Sequence, residues 1–247
     1  MPEFEFPTEV IDLPSKGLVY PKDSPLSKGQ IELKYMTAKE EDILTSQNLI
    51  KKGIVLDKLF DSLIVTKGVK QSNLVLGDKN AVMVAARVLA YGAEYNATVQ
   101  GPDGPVEHVF DLSKVKFKEL DKKLDYSKGV FDMELPVSKL PVKFKILTGE
   151  DEQKINADLE ASKKTGQSAE ITTRIRYMLT AVDGQEDRAT INKFANNILS
   201  QDSLALRRRY AEVSPDIELN QEIEIGGEMV KVNIPMTPRF FWPDSSI

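Results

Sequence analysis

Cysteine is absent from the 247-residue chain, and histidine occurs once, at His108. The first absence excludes disulfides and thiolate metal sites and suits a reducing cytosol. The second leaves His108 without the partners that a metal site or a nucleophilic triad needs, so it reads as a half-exposed strand residue. A basic surplus is missing as well. Formal net charge is -5 and the sequence pI is about 5.2, with the acid excess spread over both halves. A broad surface for phosphates or anionic lipid is therefore not expected. No glycine-rich phosphate loop ending in Lys-Ser or Lys-Thr occurs, and no dinucleotide fingerprint. The longest strongly apolar run on an expected helix, Ala81 to Ala86, stops at Arg87 and is too short to span a bilayer. The opening MPEFEFPTEV carries acids where a secretory signal needs a basic region and an apolar core. These absences point to a soluble intracellular protein that is not an enzyme, with no cofactor, nucleic acid, membrane or small-molecule substrate.

What is present is a recurring pattern. In GQIELKYM, Ile31, Leu33 and Tyr35 alternate with polar residues as in a half-buried strand. Thr37 follows with Glu40 at capping-box spacing, so a helix is expected to start there. The same succession returns with Val142, Phe144 and Ile146, then Thr148 and Asp151, leading into a helix from 149 to about 164. Helical stretches follow in both places. Asp78 reads as the cap and Gly92 as the end of one helix, and Asp187 caps RATINKFANNIL. Two hairpins close the series, turning at Gly101-Pro102-Asp103-Gly104 and at Gly226-Gly227. Thr37 matches Thr148 and Asp78 matches Asp202, but the spacing grows between the two pairs, which predicts a modest insertion in the second half. The expected fold is α+β with two pseudo-repeated lobes, 28–125 and 126–247. Residues 1–27, rich in proline, are expected to form an extended N-terminal arm, its apolar anchors packed on the core in preference to a free arm that binds a partner.

Candidate chemistry is sparse. The acids of EED and GEDEQ fall in first helical turns, where they favour the helix dipole and where glutamine should cost only about 0.3–1 kcal/mol each. Lys114, Lys116 and Lys118 are expected on one face of a short strand, guarding a sheet edge. Arg207, Arg208 and Arg209 form the one dense basic run, yet successive helical residues point about 100° apart, so a partner carboxylate or a local ion pair fits them better than RNA. Phe240, Phe241 and the sole tryptophan, Trp242, need cover that a frayed end would not give them. Either they contact a partner, or the tail folds back beside VKVNIPM into the second lobe's core.

DLPSKGLVYPKDSPLSKGQIELKYMTAKEEDIL from Asp12, GDKNAVMVAARVLAYGAEY from Gly77, QDSLALRRRY from Gln201 and the terminal FFWP resemble the baseplate hub and hub-assembly proteins of T-even-type contractile-tailed phages. The likeness runs over most of the chain and is densest at 12–44. Some members of that family carry cysteine pairs in the two hairpins; these turns read GPDG and IGGE, so a zinc role does not carry over. The resemblance implies a non-catalytic baseplate hub protein, a structural subunit or assembly factor that works through contacts with other hub or tail proteins. Its place would be the host cytoplasm during assembly or the tail baseplate of the virion. Two alternatives stay open: a transient chaperone of the tape-measure protein, and a nucleic-acid-binding module using Lys114 to Lys123 with the arginine triplet.

Overall fold

A computed structural model describes residues 7–102, 104–164, 169–236 and 240–241. The architecture is α+β, a set of helices among small antiparallel sheets. Alternation at Ile31 and Leu33 gives strand β2 (Gln30–Lys34), with both side chains buried. Its partner comes from the proline-rich arm: β1 (Thr8–Asp12) runs antiparallel to it, with Glu9 opposite Leu33 and Ile11 opposite Ile31.

The chain turns at Thr37 into α1 (Ala38–Thr45) through a corner built on Glu40. Thr37 donates to Glu40 Oε2 from its amide and hydroxyl, at 3.0 and 2.6 Å, while Lys34 Nζ and Ser62 Oγ both reach Oε1 at 2.7 Å. Glu40 is fully buried, so it is not the solvent-facing acid that its first-turn position suggests. After α2 (Gln47–Lys51) and α3 (Val55–Leu63), the backbone returns to the far edge of β2. There Ile64 bridges Leu33, and the Val65 amide donates to Glu32 O at 3.0 Å. Helix α4 (Leu76–Tyr91) ends at Gly92 with φ 83° and leads into the hairpin β3 (Glu94–Gly101) and β4 (Gly104–Asp111), then the short β5 (Lys116–Phe117).

The second half uses the same devices. Strands β6 (Val130–Glu134) and β7 (Pro141–Lys145) pair, and Thr148 opens α5 (Gly149–Lys164). Here Asp151 accepts from Lys145 Nζ at 2.7 Å and from the Thr148 amide at 3.0 Å, repeating the Lys34–Thr37–Glu40 corner. Helix α6 (Glu170–Met178) leads into β8 (Leu179–Val182), which covers the far edge of β7 as Ile64 covers β2. Next come α7 (Arg188–Asn197), capped by Asp187, and α8 (Ser200–Val213). Strand β9 (Ile217–Glu218) and the hairpin β10 (Asn220–Ile225) and β11 (Glu228–Asn233) follow. Between Ile64 and α4 stands only the turn Gln71–Asn73, whereas α7 fills the corresponding place.

The aspartates at the third position of α4 and α8 do not cap them; Val75 and Leu199 occupy the cap positions. Both carboxylates are fully buried and hold a Leu-Pro loop instead. Asp78 accepts from the Ser15 amide and hydroxyl at 2.9 and 2.6 Å and from Tyr20 OH at 2.6 Å. Asp202 accepts from the amides of Val137 and Ser138 at 2.8 and 3.0 Å. The loops differ in length but share a feature: Leu13-Pro14 and Leu135-Pro136 each come shortly before a lysine with positive φ, Lys16 at 51° and Lys139 at 60°.

The halves do not keep separate cores. One hydrophobic cluster runs from Leu13 to Phe241. Strand β5 pairs with β9 across the division, and Tyr95 OH donates to Pro235 O at 2.7 Å. Gly77 passes so close to the second half that a Cβ there would lie 1.8 Å from Pro215 O. Any side chain at that point would push the halves apart.

Burial raises the Glu40 carboxyl, but the hydrogen bonds from Lys34, Thr37 and Ser62 outweigh it and hold its pKa at about 2, below the ordinary 4.5. A carboxylate depressed in the fold stabilises above its unfolded pKa and loses that contribution as pH falls through the folded value. Glu40→Gln should therefore cost on the order of 3 kcal/mol at neutral pH, and the difference from wild type should shrink between about pH 4.5 and 2. Urea unfolding across that range measures it. Glu41→Gln, at an exposed position, should stay within about 0.5 kcal/mol of wild type.

Candidate functional site

The terminal aromatics are structural. Phe240 and Phe241 are 1% and 2% exposed, so they do not offer the open contact surface expected of a partner site. Phe240 meets Tyr95 of β3 edge-on at 5.0 Å between ring centroids, and Phe241 lies 6.4 Å from Phe60 of α3. Phe240 and Phe241 thus plug the core through first-half residues rather than sealing the second lobe alone. Large rings dictate this, since each buries more apolar area than a terminus leaves in water. Trp242 lies outside the described residues.

The basic residues do not gather. Arg207 and Arg208 are exposed on α8, Arg207 donating to Ser203 O of its own helix at 3.3 Å, while half-buried Arg209 pairs with Glu212 at 3.1 Å. Lys114 pairs with Asp111 at 3.0 Å. Lys118 is spent on the end of α8, donating to the carbonyls of Ala211, Glu212 and Ser214. That is a cation stabilising a helix C-terminus, and it separates Lys118 from the lysine face expected of the segment. Only Lys116 and Phe117 are strand there.

The acidic clusters likewise dissolve into structure. Glu152 pairs with Arg174, Lys154 with Glu150, and Asp151 belongs to the second corner. His108 is half-buried on β4 with its ring edge-on to Phe110. Among the described residues no group of three or more His, Asp or Glu side chains could hold a metal ion, and no helix is long and apolar enough to cross a membrane.

The arrangement that stands out is a groove over α4. Ala81, Val84, Ala85, Val88 and Leu89 recur at helical spacing and form an entirely apolar floor. The cavity above it has a volume of about 470 Å³. One wall is Glu9 and Ile11 of β1 with Tyr35; the other is Val115, Phe117 and Ile217, from the β5–β9 pair and the residue before it. Tyr35 N donates to Pro7 O and Leu13 N to Gly29 O, which fixes the phase of the β1–β2 ladder. In that phase Glu9 and Ile11 bond to β2, and the backbone groups of Thr8, Val10 and Asp12 point the other way. They have no partner among the described residues.

What positions this wall is Asp78. Burial pushes its carboxyl up despite the donors Ser15 and Tyr20, and Asp216 adds to the rise. Burial, with Asp78 beside it, pushes the Tyr20 phenol up as well. Asp202 is the opposite: burial would raise it, but the amides of Val137 and Ser138, with Lys139 nearby, outweigh burial and lower it. Sequence pattern alone marks neither the groove nor the Asp78 tie. The available signal was the repeated Leu-Pro before each edge loop, with an aspartate at the start of each late helix.

Phe240→Ala should lower stability by about 3–5 kcal/mol, as expected for emptying a fully buried aromatic site, whereas Arg207→Ala and Arg208→Ala should each stay within about 0.5 kcal/mol. Denaturant unfolding of the three variants distinguishes a core plug from a surface tail. Comparison with protein family models, with curated proteins and with solved structures finds no match to this chain.

Proposed function

We infer that this chain is a baseplate hub protein of a contractile-tailed phage, acting in hub and tail assembly through protein–protein contacts as a structural subunit or assembly factor. The resemblance at 12–44, 77–95 and 201–210 supplies the phage assignment. The single structural observation in favour of a contact role is the apolar groove over α4 beside the β1 edge, whose outward groups have no partner among the described residues. Internal duplication of a β-hairpin, capped-helix and second-hairpin unit fits the same reading, since two related corners, loops and buried aspartates recur in order. The nucleic-acid alternative loses ground because Arg209 and Lys118 are engaged within the fold and the overall charge is acidic.

The test is affinity purification of the tagged full chain from phage-infected cells, with purified virions assayed in parallel by mass spectrometry. Enrichment of hub or tail proteins, persisting from low to high salt, is the expected result. Recovery of the tape-measure protein together with absence from virions would move the reading to a transient chaperone. Enrichment of no tail protein, or of nucleic acid lost steeply with added salt, would overturn it.

A further inference from the structure

Helices α4 and α8 occupy corresponding places, each with a fully buried aspartate at its third position and each running on to a hairpin. Aligned on those aspartates, Ala81, Val84, Ala85, Val88 and Leu89 stand against Ala205, Arg208, Arg209, Glu212 and Val213. At three of the five positions α8 carries charge where α4 carries Val or Ala. The architecture therefore tolerates a charged face here. An apolar one, left over an open cavity, calls for something that covers it.

The shape of the cover is set by β1. The far edge of β2 is already closed by Ile64 and Val65, so this sheet can grow only at the outward groups of Thr8, Val10 and Asp12. A strand added there would turn alternate side chains to the same face as Glu9 and Ile11, which is the face toward α4. Charge narrows the choice further. Glu9 is exposed on the groove wall and has no cation partner among the described residues. The side chain opposite it in an added antiparallel strand belongs to a pair without mutual hydrogen bonds, where cross-strand neighbours come closest.

We propose that the β1 edge and the α4 groove bind an extended segment of a partner protein by strand addition, the segment being apolar at alternate positions and basic opposite Glu9. The inference rests on the protein-contact part of the function above and not on the phage assignment, because binding is measured on the purified chain.

The probe is a labelled, capped hexapeptide, Val-Thr-Lys-Thr-Leu-Thr, with a Lys-to-Glu counterpart and one whose threonine amides are N-methylated, followed by fluorescence anisotropy on the full chain. The lysine peptide should bind at least about tenfold more tightly than either counterpart. Val10→Pro removes an outward N–H that has no partner among the described residues, and Val88→Glu installs the residue that α8 carries at the matching place. Each should weaken binding at least about tenfold with little change in the unfolding midpoint, and Glu9→Lys should reverse the preference between the lysine and glutamate peptides. Equal binding of the three peptides, no binding of any, or wild-type binding by both Val10→Pro and Val88→Glu would overturn the proposal. A dimer in sedimentation equilibrium that Val10→Pro dissociates would assign the edge to a second copy and overturn it too. Peptide binding without recovery of tail proteins from infected cells would sink the phage reading and leave this one standing.

Discussion

A buried carboxylate with only neutral donors holds the first half together. Asp78 is fully buried, and its partners, Ser15 and Tyr20, lie 63 and 58 residues earlier in the chain. Leaving such a group short of a donor costs about 1–3 kcal/mol, so the arm is pinned to the start of α4 by the penalty for releasing it. Tyr20 makes the tie reciprocal, since its hydroxyl also accepts from the Val75 amide at 3.0 Å. With the loop at 13–29 fixed, β1 has a defined place beside β2, and the groove over α4 acquires its wall. The arm is thus a structural part of the first sheet, and local proline content did not predict that role.

The second half solves the same problem with a shorter loop. Asp202 takes two backbone amides from residues 137 and 138, and the strands on either side of that loop, β6 and β7, are separated by Leu135 to Leu140 alone. In the first half seventeen residues, Leu13 to Gly29, span the equivalent gap between β1 and β2, and they carry Tyr20 and the turn Pro25–Lys28. The extra length supplies a side-chain hydroxyl where the second half uses backbone. This difference carries into electrostatics: Asp78 is raised by burial, and Asp202 is lowered by its donors and the nearby Lys139.

Local chemistry was legible in the sequence where the determining residues are close together. The Thr37 and Thr148 corners, the Asp187 cap, the Gly92 helix end and the turn at Gly226-Gly227 all lie within a few residues of the groups they satisfy. Long-range features were not legible in that way. Glu40 looks like an ordinary first-turn acid because Ser62, which helps to bury it, comes from the end of α3. Lys118 sits in an alternating lysine run, and only the fold brings the end of α8 to it. The close approach of Gly77 to Pro215 and the pairing of Phe117 with Ile217 join segments that no periodicity connects. For the same reason the two halves, which read as separate lobes, share one core.

On the groove face the two halves differ in chemistry, although α4 and α8 each carry a buried aspartate at the third position. A helix face held only by folding would bury its apolar residues and expose its polar ones, as α8 does with Leu206 inside and Arg208 outside. Helix α4 departs from that rule: Val82 is fully buried on one side, yet Val88 and Leu89 on another remain half-buried beneath an open cavity. Exposed apolar surface does not stabilise an isolated chain, and an unpaired strand edge beside it invites association. Both liabilities occur together on one side of α4, whereas the aligned face of α8 carries Arg208, Arg209 and Glu212. Their coincidence is what a site for an incoming strand requires, because backbone pairing and side-chain burial must be available along the same line.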